Sequence, residues 1–156
     1  MTIEVDEIVR RIRAAFVVLA ARDLALLEMD ANERTVTHKF AEYLQREFMD
    51  WDVDCEYNRD GHDPKRLSLR PSTVSTDDTK ATSVFPDVIV HRRGSRENLV
   101  VIEAKKSTTA STGHDELKLS NYKSQLGYQF AFSIVLPVGE QEAVLSGADL
   151  IVVEVS

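Results

Sequence analysis

The sequence predicts an α/β domain, and three observations predict it. Apolar residues recur at helical spacing in two stretches before residue 50 and again after residue 114. Two apolar runs in mid-chain, Val88-Ile89-Val90 and Leu99-Val100-Val101-Ile102, flank a polar turn and read as a β-hairpin. Two further short, β-branched runs, 133–137 and 150–155, supply the remaining strands. At 156 residues the chain suffices for one domain with a sizeable core and is too short for two ordinary ones, so a single domain over 1–156 is expected.

The elements follow in order. Val5, Ile8, Val9, Ile12, Phe16 and Leu19 share one helical face, which predicts a single amphipathic helix over residues 3–28. A second helix is expected from Asp30 to Met49, with Val36, Phe40, Leu44 and Phe48 as its buried stripe. Val53, Cys55 and Tyr57 alternate with Asp52, Asp54 and Glu56, the pattern of a strand with one polar face. Residues 58–83 carry Gly61, Pro64, Pro71 and many Ser, Thr and Asp side chains, and are expected to form a long polar loop. After the hairpin comes a hydroxyl-rich link, and then a third helix capped by Asp115, with Leu119, Tyr122, Leu126 and Phe130 as its stripe.

The hairpin carries the chemistry. Folding it about Ser95 sets Asp87 opposite Glu103, Ile89 opposite Val101 and His91 opposite Leu99. Because side chains alternate along a strand, Glu103, Lys105, Val101 and Leu99 share one face, while Val100, Ile102, Ala104 and Lys106 take the other. Two carboxylates and an ammonium thus converge at one sheet corner. Neighbouring carboxylates disfavour each other's ionisation unless a cation neutralises them. Magnesium, or manganese in its place, is the natural guest, since it takes one or two carboxylates plus waters and leaves room for a phosphate oxygen. The chemistry expected is phosphodiester hydrolysis. The plain alternative is a surface ion-pair cluster at a strand end.

Pro86-Asp87, one hairpin before Glu103-Ala104-Lys105, resembles the PD-(D/E)XK nuclease superfamily. That resemblance, over roughly residues 30–137, implies a restriction-endonuclease-like core, a mixed central sheet flanked by helices, with an extra N-terminal helix over 1–28. It implies that Asp87 and Glu103 hold the metal, that Lys105 assists hydrolysis and that Ala104 lends its backbone carbonyl. It further implies a carboxylate from the first core helix, for which Glu33 is the candidate. Glu33 has an equally concrete reading as part of a capping box, Asp30-Ala31-Asn32-Glu33. A polar side chain from the helix after the Glu-x-Lys strand is implied too, with Gln125 ahead of Lys118.

Composition bounds the partners. The net charge is −7, which repels phosphate backbones at long range. Residues 57–106, however, carry ten basic against seven acidic residues, a balance of +3, leaving −10 elsewhere. Arg59, Lys65, Arg66, Arg92, Arg93 and Lys106 are therefore the expected nucleic-acid contacts, with Arg70 beside them in the polar loop. DNA is expected before RNA, and a homodimer or larger assembly suits so small a chain. One cysteine, Cys55, excludes an intrachain disulfide, and the four histidines lack zinc-site spacing. The N-terminal residues are acidic and the longest apolar run, 14–21, is too short to span a bilayer. A cytoplasmic protein without membrane contact is expected. The expected function is a metal-dependent nuclease; the alternative is a non-catalytic nuclease-fold module that binds nucleic acid or protein within a larger assembly.

Overall fold

The structure, a computed structural model, describes residues 2–67, 82–83, 85–109, 114–139 and 145–156. The N-terminal helix is divided, not continuous as expected: α1 (Val5–Arg22) is followed by a short α2 (Leu24–Glu28). The break falls at Asp23, whose carboxylate accepts a hydrogen bond from the Tyr43 hydroxyl and ties the joint to the next helix. That helix, α3 (Glu33–Glu47), buries Val36, Phe40 and Leu44, with Phe48 buried just beyond its end. Its start also departs from expectation. Asn32 is the N-cap, its Oδ1 accepting from the Thr35 backbone N–H at 2.8 Å, whereas Asp30 sits outside the helix at φ 52°. The capping box built on Asp30 does not form, and Glu33 is left as the first helical residue.

β1 (Asp52–Cys55) leads into the polar segment, which is not an uninterrupted loop. β2 (Arg59–Asp60) pairs with β3 (Asp63–Pro64), and β4 (Arg66–Leu67) pairs with β5 (Thr82–Ser83). Arg70 and the rest of 68–81 lie outside the described residues, as does the Arg66 side chain. The hairpin follows as β6 (Val88–His91) and β7 (Asn98–Lys106). Then come α4 (His114–Leu126), β8 (Phe130–Leu136) and β9 (Ile151–Val155). Gly127, at φ 71°, ends α4 in the left-handed conformation that suits glycine, so Phe130 leaves the helix on which it was expected.

Among the described residues five strands form a mixed sheet in the order β1, β6, β7, β8, β9, antiparallel except for β7 and β8. Val88 faces Ile102, Ile89 faces Val101 and Val90 faces Val100, the register read from sequence. Beyond Val90 a bulge shifts it, so His91 faces Asn98 rather than Leu99. One extra residue inverts the alternation, and Leu99 joins the larger core against α1 and α3 instead of sharing the face of Glu103. Val88, Val90, Val100, Ile102 and Ala104 pack on that larger core, and Ile89 and Val101 pack on a smaller one with Leu119, Tyr122, Tyr128 and Ala131. The parallel pair β7 and β8 needs a crossover, which α4 provides. Since α4 must run back along the sheet, its first turns lie over the end of β7 that carries Glu103 and Lys105. Among the described residues no helix is long and apolar enough to cross a membrane.

Candidate active site

Asp87 lies one residue before β6, where the ladder would set it across from Glu103. Its Oδ2 accepts from the Ala104 backbone N–H at 2.8 Å, so the side chain continues the ladder that its own strand has not yet begun. Glu103 is 6 % exposed. Burial drives its pKa well above the ordinary carboxylate range, and the Asp87 carboxyl, close enough to hydrogen-bond it, adds to the effect; Lys118 opposes both. Lys118 Nζ stands 3.4 Å from Glu103 Oε1, a loose ion pair that only partly offsets the burial of the carboxylate. A buried carboxylate beside a second carboxylate could hold a hard cation.

Lys105 does point to the α4 side, as the alternation requires. Its ammonium forms a close ion pair with Asp115 in the first turn of α4. Lys106 takes the opposite face, where its Nζ meets Asp30 Oδ1 at 2.9 Å and the Ala31 carbonyl at 3.4 Å. Glu33 opens α3 above this sheet end: burial raises its pKa, and the Asp87 charge raises it further against the opposing pull of Lys105 and Lys106. A cleft of about 720 Å³ opens between the start of α3 and β1, lined by Asn32, Glu33, Thr37, His38, Cys55 and Asp87 among others. Cys55 is a structural wall there, its thiol pushed up to about 11 mainly by burial. Among the described residues no three His, Cys, Asp or Glu side chains are grouped to hold an ion by themselves. The corner holds the carboxylate pair of Asp87 and Glu103, with Glu33 within electrostatic reach of Asp87.

Gln125 is elsewhere. It lies exposed on the outer side of α4, bonded to Asn121 Oδ1 at 3.1 Å, two helical turns beyond the residues over the site. The polar side chain that α4 does bring to Glu103 is Lys118, and Asp115 and Tyr122 lie on the same helical stripe. The Tyr122 hydroxyl is buried, its pKa driven far up by burial and then by Glu103. The signal was present in the sequence: a helix returning from β7 must begin at the Glu103 end, so side chains from its first turns outrank those from its last.

The expected nucleic-acid contacts do not gather around this corner. Arg92 and Arg93 sit at the hairpin turn, the far end of the sheet, where five residues of strand put them about 15 Å or more from Asp87. Arg92 stacks on Trp51 at 4.0 Å and pairs with Glu97. Arg93 pairs with Asp54 at 2.7 Å. Lys65 is fully buried, donates to the Arg59 carbonyl, lies 4.8 Å from the Tyr57 ring and has its pKa lowered to about 8 by burial. It is a packed lysine, not a phosphate contact. Arg59 remains exposed on β2, bonded to its neighbour's carbonyl. His91 is structural, its Nε2 2.7 Å from Asp54 Oδ2 and its ring edge-on to Tyr57.

Comparison with known proteins finds no matching family model, no matching curated protein and no matching solved structure.

Proposed function

We propose that this protein is a metal-dependent nuclease of the PD-(D/E)XK type, hydrolysing phosphodiester bonds in nucleic acid, DNA before RNA, with magnesium or manganese. The observation that carries this reading is the buried Glu103 carboxyl held beside Asp87 near the end of β7, with only a loose ion pair to Lys118. The order of helices and strands around the hairpin supports a restriction-endonuclease-like core. Asp87 and Glu103 would hold the ion, helped by the Ala104 carbonyl and by Glu33. When bound, the ion supplies Lewis-acid polarisation of a phosphoryl oxygen and lowers the pKa of a water. Asp87 is oriented for this by the Ala104 N–H. Lys105 contributes a compact positive charge on the face of Glu103, where charge builds on the phosphoryl oxygens during attack. To do so it must leave Asp115.

The alternative, a nuclease-fold module that binds nucleic acid or protein without cutting, is favoured by one observation. Lys105, Lys106, Arg92 and Arg93 are each engaged with an acidic side chain. Cleavage of labelled single- and double-stranded DNA and RNA with magnesium or manganese decides between them. The wild type and Lys106→Ala should cut, with Lys106→Ala losing only the modest stability of a partly exposed ion pair, about 1 kcal/mol or less. Lys105→Ala should abolish cutting while retaining metal binding. Equal loss in both variants would refute the roles assigned to the two faces, and no cutting by the wild type on any of these substrates would favour the binding module.

A further inference from the structure

α4 carries opposite charges one turn apart, Asp115 and Lys118, and β7 presents their mirror image, Lys105 and Glu103. Two ion pairs result, Lys105 with Asp115 and Lys118 with Glu103, which leave the Asp87 charge outside them. They differ in length. Lys118 Nζ stands 3.4 Å from Oε1, whereas Lys105 sits closer to Asp115. The Lys118 side chain is 23 % exposed against 7 % for Glu103, and its ammonium lies 5.9 Å from the Tyr122 ring centroid, so the lysine has the easier route to water.

We infer that Lys118 is a resident counter-ion that occupies the charge position of the metal in the metal-free protein and sets the affinity of the site by having to give way. The inference rests on the proposed metal site. A magnesium ion binds carboxylate oxygen at about 2.0–2.1 Å. An ammonium already beside the same oxygen would then face a divalent charge within roughly 5.5 Å, a strongly repulsive separation in a partly buried site. Of the two cations only the lysine is tethered, and only the lysine can turn outward over Tyr122. Lys118 is accordingly a positioning residue, and its removal has two effects of opposite sign. The metal-free protein loses the charge that offsets Asp87 and Glu103, and the incoming ion loses a competitor.

The test is calorimetric titration of the full chain with manganese at one fixed pH, beside thermal melts in chelator, for the wild type, Lys118→Met, Lys118→Gln, Lys118→Arg and Asp87→Asn. Lys118→Met and Lys118→Gln should melt lower than wild type in chelator yet bind manganese roughly tenfold or more tightly, the coupling typical of a close charge pair. Lys118→Arg should restore both values toward wild type. Manganese binding that is lost in Asp87→Asn but unchanged or weakened in both neutral Lys118 variants would overturn the counter-ion role and leave the metal site standing. A wild type and Lys118 variants that all fail to bind manganese would overturn the metal site and the counter-ion together.

Discussion

Asp87 has two jobs that substitution can separate. It accepts the Ala104 N–H at 2.8 Å, on a strand where Ala104 is 2 % exposed, and it places a carboxyl against Glu103. Asp87→Asn keeps an oxygen for the N–H, turns an amide donor toward Glu103 and removes one of two like charges, so in chelator it should melt at or slightly above wild type. Asp87→Ala also removes the acceptor. An orphaned buried N–H costs about 1–3 kcal/mol, and in a chain of this size each kcal/mol shifts the melting temperature by about 2–4 °C. Asp87→Ala should therefore melt roughly 2–12 °C below wild type. Divalent metal at 100 times its Kd should add about 2.7 kcal/mol to the wild type, a rise of roughly 5–10 °C, and nothing to either variant. Thermal melts of the three proteins in chelator and in millimolar magnesium or manganese measure all of this. A wild type unmoved by metal, with Asp87→Asn less stable than wild type in chelator, would show that Asp87 serves as a structural anion and would refute the metal reading.

The pH dependence of stability follows from Glu103. Its folded-state pKa is raised above the unfolded value near 4.5, so its contribution is fully present below that pH and is lost as pH rises through the folded value. Urea unfolding of wild type and Glu103→Gln across this window should show the wild type losing stability relative to the variant as pH rises; parallel curves would refute the burial argument. For Glu33, which no longer has a capping role, Glu33→Gln should weaken manganese binding in calorimetric titration and leave chelated stability unchanged or slightly improved. Asn32→Ala should do the reverse, costing about 1 kcal/mol with manganese affinity intact.

Much of the fold was legible because its strongest elements are strongly periodic. The stripe Val36, Phe40, Leu44, Phe48 is buried as read, and three cross-strand pairs of the hairpin fall where a turn about Ser95 puts them. What escaped was set by single residues acting through tertiary contacts. A helix whose apolar spacing runs on breaks at Asp23, where a tyrosine from a neighbouring helix binds the carboxylate. A one-residue bulge beside His91 moved Leu99 to the other core, and no pattern in the strand announces it. The partners of the basic residues escaped for another reason. Charge counted along the chain ignores partners, and Arg92, Arg93 and Lys106 find theirs in Glu97, Asp54 and Asp30, residues that sequence proximity reveals only for the first.

The same partner logic separates Asp54 on β1 from Glu103 on β7. Asp54 meets His91 at 2.7 Å and accepts from Arg93 at 2.8 and 2.7 Å. Burial alone would raise its pKa, but these bonds hold it well below the ordinary range, so its charge is an asset to the fold and its oxygens are spent. Glu103 is buried more deeply, has a second carboxyl for a neighbour, has the Lys118 ammonium only at 3.4 Å and is displaced in the opposite direction. An acid whose surroundings satisfy it explains itself structurally. An acid buried at a cost to the fold is a candidate ligand position, and on the proposed reading Asp87, Lys118 and Tyr122 are the neighbouring groups that a bound cation would meet.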